Sequence, residues 1–271
     1  MKKILTICFV IVSNVLVNAQ ELKSPDGNFS LVFDLNKEGE AIYTLSFKEK
    51  KVIKESKLGL VLKSNIMLNR DFQITDTKFQ SENNTWEPVL GEQKEIRNQY
   101  NELKVDLIQN KSKFKISIYF RLFNDGLGFR YGFPVQENLR HFIIQEETTE
   151  FNLTGDHKFF WIPGDYDTNE YSYNTSKMSE MQSLIYNAIH VPFAAQSAIK
   201  NLAVQTPLMI KTNDNLYINI HEAALKNYPA MCLNVDDKTF SLSSHLVPDA
   251  VGNKGYIQTG SFTPWRTIVV R

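Results

Sequence analysis

The chain is nearly devoid of cysteine: there are two in 271 residues, and one of them, Cys8, lies in an N-terminal apolar run. Cys232 then has no partner for an internal disulfide, so packing alone must hold the fold. Histidine is almost as scarce. His141, His157, His190, His221 and His245 are scattered with no pair at ligand spacing, which argues against zinc. No arginine-rich tract or basic stripe exists, so nucleic acid is not an expected partner. Glycine-rich phosphate loops and a G-x-S-x-G elbow are also missing. The longest apolar run, residues 4–17, is 14 residues. That is short of the ~20 a spanning helix needs, so no membrane insertion is expected.

The N-terminus carries a different signal. Lys2 and Lys3 precede the apolar run, and Val17-Asn18-Ala19 offers a small-residue cleavage site. Residues 1–19 therefore read as a signal peptide and residues 20–271 as the mature chain, exported to a periplasm or the outside. Cys8 falls within the apolar run and not just after the cleavage site, so no lipid anchor is expected. Without Lys2 and Lys3 the chain carries 28 basic and 30 acidic residues, a formal balance of −2. A neutral ligand fits this balance better than a charged polymer. A chain of this size can bury roughly three quarters of its surface in one large domain.

Alternation with period two dominates. Phe29, Leu31, Phe33 and Leu35 share one face, Leu103, Val105 and Leu107 a second, and Phe114, Ile116, Ile118, Phe120 and Leu122 a third. Such patterns give half-buried strands of antiparallel sheets. Turn residues separate them at Pro25-Asp26-Gly27-Asn28, Lys37-Glu38-Gly39, Asn124-Asp125-Gly126 and Asn213-Asp214-Asn215. The expected class is an all-β sandwich. Only residues 177–199 allow a helix, with Met178, Met181, Ile185 and Ile189 three and four apart, and Pro192 interrupts it.

Two motif-like stretches fail on one residue each. DLNKEGEAIYTL begins like a calcium loop, but Leu45 stands where a bidentate glutamate is required, so it reads as a hairpin. HEAAL lacks the second histidine of a zinc-protease helix, since Leu225 occupies that place. Read as a strand, LYINIHEAAL puts Leu216, Ile218, Ile220 and Glu222 on one face and Tyr217, Asn219 and His221 on the other. Glu222 either lies past the end of the pleat, solvated or paired with a lysine, or contacts a metal or sugar hydroxyl at the rim of a sheet.

The densest patch is WIPGDYDTNEYSYN, where Trp161, Tyr166, Tyr171 and Tyr173 interleave with Asp165, Asp167, Asn169 and Glu170. Aromatic faces cover the C–H faces of sugars while carboxylates and amides take hydroxyls. Carboxylate and amide oxygens also suit calcium. The plainer reading is a polar loop whose aromatics fold back on the core.

The stretches ELKSPDGNFSLVFDL, FRLFNDGLGFRYGFP, DYDTNEYSYN, TPLMIKTNDNLYINIHEAALKNYPAM and TPWRTIVV resemble, in that order, the N-terminal domain of glycoside hydrolase family 97. The resemblance covers nearly all of residues 20–271. It implies a β-supersandwich similar to galactose mutarotase-like domains, followed in the family by a (β/α)8 barrel and a small C-terminal β domain. The catalytic carboxylate pair belongs to that barrel, so no catalytic residue is expected here. The tryptophan-arginine stretch at Trp265 and Arg266 is the expected seam with the barrel. The resemblance also implies that this domain lends a glutamate to a calcium site beside the substrate. Glu170 is the first choice for that ligand. Glu222 is the second, as calcium support or substrate contact. Trp161 and Asp167, from the aromatic and acidic patch itself, are the other candidate substrate contacts. One or two oxygens fall short of the six to eight that calcium prefers, so weak or no calcium binding is expected of this chain alone.

The expected function is thus the supporting domain of an exported α-glucosidase or α-galactosidase, truncated or split from its barrel. The expected partners are an α-linked glucoside or galactoside oligosaccharide and a separate catalytic barrel chain. A stand-alone carbohydrate-binding module is the alternative. A mutarotase-like sugar epimerase is disfavoured, because His221 and Glu222 point to opposite faces of one strand.

Overall fold

The structure, a computed structural model, describes residues 19–63, 66–191 and 197–271; the expected signal peptide apart from Ala19 lies outside them, as does Pro192. Alternating apolar residues become strands almost throughout, and every strand pair is antiparallel. A ten-stranded sheet forms one layer. Along it run Asn174–Lys177, Lys158–Trp161, Leu208–Lys211, Tyr217–Ala223, Trp265–Val270, Gly126–Phe133, Lys115–Phe123, Ile96–Gln109 and Phe72–Trp86, with Ser261–Phe262 beside Gly126–Phe133.

Three four-stranded sheets face it. The first is a meander of Gln20–Lys23, Phe29–Leu35, Ala41–Phe47 and Lys50–Leu58. The second holds Gly255–Gln258, His141–Glu147, Leu60–Leu62 and Ile66–Leu68, and the third Glu150–Asn152, Ser241–Leu246, Met231–Asp236 and Ala203–Gln205. The first and third are stitched together by an Ile53–Leu153 bridge and by the Asn152 N–H, which donates to Ser56 Oγ at 2.9 Å. Aromatic rings lock the layers face to face: Phe33 lies 5.6 Å from Phe120, Tyr43 5.4 Å from Phe129, and Phe151 6.2 Å from Phe129. Contacts at these spacings add to the area term of burial. One continuous apolar cluster joins all the sheets.

The expected all-β sandwich is therefore what folds, and its turns fall where the turn residues stand. DLNKEGEAIYTL is a hairpin: Asn36 Oδ1 accepts from the Glu38 and Glu40 N–H groups, and Gly39 takes the left-handed φ of 68°. Gly126 enters its strand against the Trp265–Val270 strand, where any Cβ would collide with the Ile268 carbonyl oxygen. The helix of residues 177–199 is shorter than its periodicity allows: a 3-10 turn, Met178–Glu180, leads into Met181–Ile189. Met178 and Met181 anchor it in the core. Trp265–Val270 does not begin a new layer. It fills the gap between Tyr217–Ala223 and Gly126–Phe133, pairing with both.

Candidate functional site

Residues 162–173 leave the sheet after Lys158–Trp161 and return as Asn174–Lys177, which pairs with the strand they left. The excursion is held down at its start. Gly164 lies so close to residues 199–203 that a Cβ would meet Ala203 Cβ at 2.8 Å and Ile199 Cδ1 at 2.9 Å. Its N–H donates to the Ala203 carbonyl at 2.8 Å.

Asp165 then organises the loop. Its carboxylate is 4% exposed. Oδ1 accepts from the Asp167 N–H at 2.8 Å, the Thr168 N–H at 3.1 Å and Ser197 Oγ at 2.6 Å, while Oδ2 accepts from the Tyr171 hydroxyl at 2.6 Å. Burial opposes ionisation here, but those four donors outweigh it and hold the carboxyl below its ordinary range. The Tyr171 hydroxyl is raised by burial and by the bond it donates to Asp165. Gln205 Nε2 donates to the Thr168 carbonyl at 2.7 Å and Thr168 Oγ1 accepts from the Glu170 N–H at 3.1 Å.

The consequence is a rim of free oxygens on a fixed backbone. Asp167, Asn169, Glu170 and Tyr173 are exposed. Neither the Asp167 nor the Glu170 carboxylate has a hydrogen bond or ion pair among the described residues. Both are oxygen donors of the kind calcium takes, and both remain available. Among the described residues, no three acidic, histidine or cysteine side chains gather closely enough to hold a metal, so further ligands would have to come from elsewhere.

Two expected site residues lie inside instead. Trp161 is 1% exposed, and its indole N–H donates to Ser176 Oγ at 3.0 Å. Its ring is packed in the core with Phe159, as strand alternation dictates, and offers no face for a sugar. Glu222 is 8% exposed and keeps the alternation of Ile218 and Ile220. It is neither solvated nor paired with a lysine, nor does it stand at a rim. Oε1 accepts from the Met231 N–H at 3.1 Å and Oε2 from Arg266 Nη1 at 2.5 Å.

Arg266 is the centre of a buried ionic cluster. It is fully buried. Nε and Nη2 fork onto Glu147 Oε1 and Oε2 at 2.9 and 2.8 Å, a bidentate geometry that arginine's planar group favours. Thr149 Oγ1 and the Tyr228 hydroxyl donate to the same carboxylate at 2.9 and 3.0 Å. Burial disfavours the charged guanidinium, yet the Glu147 charge and hydrogen bonds prevail and raise its affinity for the proton. The cluster ties the ten-stranded sheet, through Glu222 and Arg266, to the His141–Glu147 strand of the facing layer. Sequence reasoning applied alternation to Glu222 and missed Arg266, although Arg266, Ile268 and Val270 obey the same rule. Glu147 had no comparable signal.

Nearby, the Tyr166 hydroxyl bonds His245 Nε2 at 2.8 Å, and His245 Nδ1 lies 3.4 Å from Glu146 Oε2, which also pairs with Lys254. His221 points away from Glu222, as expected of adjacent strand residues. Burial pushes the Cys232 thiol up to about 11, so it is a packing group and not a nucleophile.

The architecture is thus an all-β sandwich of antiparallel sheets with an oxygen-rich loop at one edge. A glycoside hydrolase family 97 enzyme from Pseudoalteromonas sp. strain K8, solved with acarbose, superposes with a TM-score of 0.80 at 32% identity over 93% of this chain and 35% of its own. The family model for the glycosyl-hydrolase 97 N-terminal domain matches residues 22–271, and the chain belongs to that family. A retaining α-galactosidase of Bacteroides thetaiotaomicron is 22% identical over 263 residues, 92% of this chain and 36% of that protein. A β-arabinopyranosidase shares the fold, with a TM-score of 0.76 at 17% identity over 93% of this chain and 40% of its own. The chain thus spans little more than a third of the length of these relatives. No helix among the described residues is long and apolar enough to cross a membrane.

Proposed function

We propose that this chain is the exported supporting domain of a family 97 α-glycosidase, acting with a catalytic barrel on an α-linked glucoside or galactoside oligosaccharide. In this reading Glu170 supplies one carboxylate to a calcium site beside the substrate, and Asp167 reaches a substrate hydroxyl. The observation that carries it is the pair of unpartnered carboxylates on a backbone fixed by Asp165, within a chain whose residues 22–271 match the N-terminal family model. Calcium, when bound, would neutralise charge beside the sugar. This chain's contribution is to hold one ligand in place before the metal arrives, which lowers the ordering cost of binding.

The test combines the chain with a separately expressed family 97 barrel and follows release of p-nitrophenol from α-glucoside and α-galactoside substrates with calcium or a chelator. Activity should require both parts and calcium, and Glu170→Gln should lower it by at least about tenfold. Isothermal titration of the chain alone should give weak or no calcium binding. A Glu170→Gln variant as active as the wild type, at every calcium concentration, sinks the assignment.

A further inference from the structure

The outer face of the ten-stranded sheet carries a feature that the calcium reading does not use. Arg130 lies between Phe129 and Tyr131, whose side chains are buried, so it points to the opposite side with Tyr119 and Arg121. There rings and guanidinium groups alternate. Arg121 sits 4.3 Å from the Tyr100 ring and 4.7 Å from Trp265, and Arg130 sits 4.3 Å from Trp265 and 4.0 Å from Phe262. Stacking of this kind orients a guanidinium plane while leaving its N–H edge free.

The two arginines differ in one respect. Arg121 is neutralised by Glu102 at 2.6 Å, a carboxylate that Gln80 also bonds at 2.5 Å. Arg130 has no hydrogen bond or carboxylate partner among the described residues, and its Nε is buried without one. It lines a cleft of about 430 Å³ together with Lys226, Asn227, Gln258, Phe262 and Trp265. That volume falls in the range of small-ligand sites, roughly 300–1,000 Å³. Among the described residues no carboxylate lines the cleft, and the side chains of Lys226, Asn227 and Gln258 are also free of hydrogen bonds there. Phe262 is 45% exposed, so part of its ring faces outward.

We propose that this cleft binds an acidic sugar of the hexuronic acid class. The terminal Nη groups of Arg130 and the Lys226 ammonium take the carboxylate, Asn227 and Gln258 meet ring hydroxyls, and Phe262 covers the C–H face. An aromatic face, two amides and two unpaired cations form a different set from the free carboxylates at Glu170, which suit a cation. The two proposals therefore fail separately.

Isothermal titration of the intact chain with galacturonic acid, galactose and acetate tests it without calcium or any catalytic partner. Galacturonic acid should bind at least about tenfold more tightly than either control. Its affinity should fall as salt is raised from about 50 to 200 mM, because the cleft is open to solvent. Lys226→Ala, at an exposed position, should weaken binding severalfold with an unchanged melting temperature, and Arg130→Lys should weaken it more because the paired Nη groups are lost. Should the Arg130 variant fail to fold, Lys226→Glu carries the test through charge reversal. The proposal is overturned if galacturonic acid does not bind, if galactose or acetate binds as tightly, or if both Lys226 variants bind like the wild type.

Discussion

Two carboxylate clusters in this domain behave in opposite ways. Around Arg266, Glu147 and Glu222 are sealed between the layers, with every carboxylate oxygen bonded to the protein. Around Asp165, one carboxylate is equally satisfied, but its four donors hold the loop so that Asp167 and Glu170 remain exposed and unpaired. The first cluster spends its charges on joining two sheets. The second uses one buried charge to present two free ones. Residue type does not distinguish these roles; the count of internal donors does.

The comparison is broken most severely at Arg266. Arg266→Met leaves two carboxylates buried without a cation, and a loss of about 3–5 kcal/mol in unfolding free energy is expected from urea denaturation. Adding Glu147→Gln and Glu222→Gln should recover part of that loss, since the damage comes mainly from uncompensated charge. A triple variant no more stable than the single one would show that shape, not charge, governs the cluster.

Asp165→Asn comes next. It keeps the size of the side chain but mismatches at least one of the four donors, so a loss of about 1–3 kcal/mol is expected. The sign with pH follows from its lowered pKa. The ionised form is favoured by folding, so its stabilisation is present above the ordinary value of 3.8 and is lost as pH falls through the lower folded value. The gap in melting temperature between wild type and variant should therefore be constant near neutrality and close below about pH 4. A gap that widens in acid would contradict this.

The smallest effect is expected at the rim. Glu170→Gln and Asp167→Asn should each change stability by less than about 0.5 kcal/mol, because neither side chain has an internal partner to lose. Loss of function without loss of stability at Glu170, set against loss of stability at Arg266, would make the contrast sharp. A strongly destabilised Glu170→Gln would blur it.

These contrasts also mark how far the sequence could be read. The alternation of Ile218, Ile220 and Glu222 was visible and held in the structure, as did the hairpin at Asn36 to Gly39. The period-two rule likewise applies to Phe159 and Trp161, which fold inward, but the density of aromatic and acidic residues around Trp161 made it a candidate sugar platform. Local composition competed there with local geometry, and geometry prevailed. The partnership of Glu147 with Arg266 was not legible at all, because it joins residues 119 apart on facing layers. No local pattern encodes such a meeting.

The Trp265–Val270 strand has a bearing on how the domain is made. It follows every other described strand of these sheets in the sequence, yet it lies between two halves of the large sheet that no other described strand joins. Until it is delivered, Tyr217–Ala223 and Gly126–Phe133 each present an open edge, and Glu147 and Glu222 lack their cation. Non-local pairing of this kind is slow and cooperative. A chain emerging from the ribosome or a translocation channel therefore stays short of its native state until those six residues arrive, like a zip fastened from its middle by its last tooth.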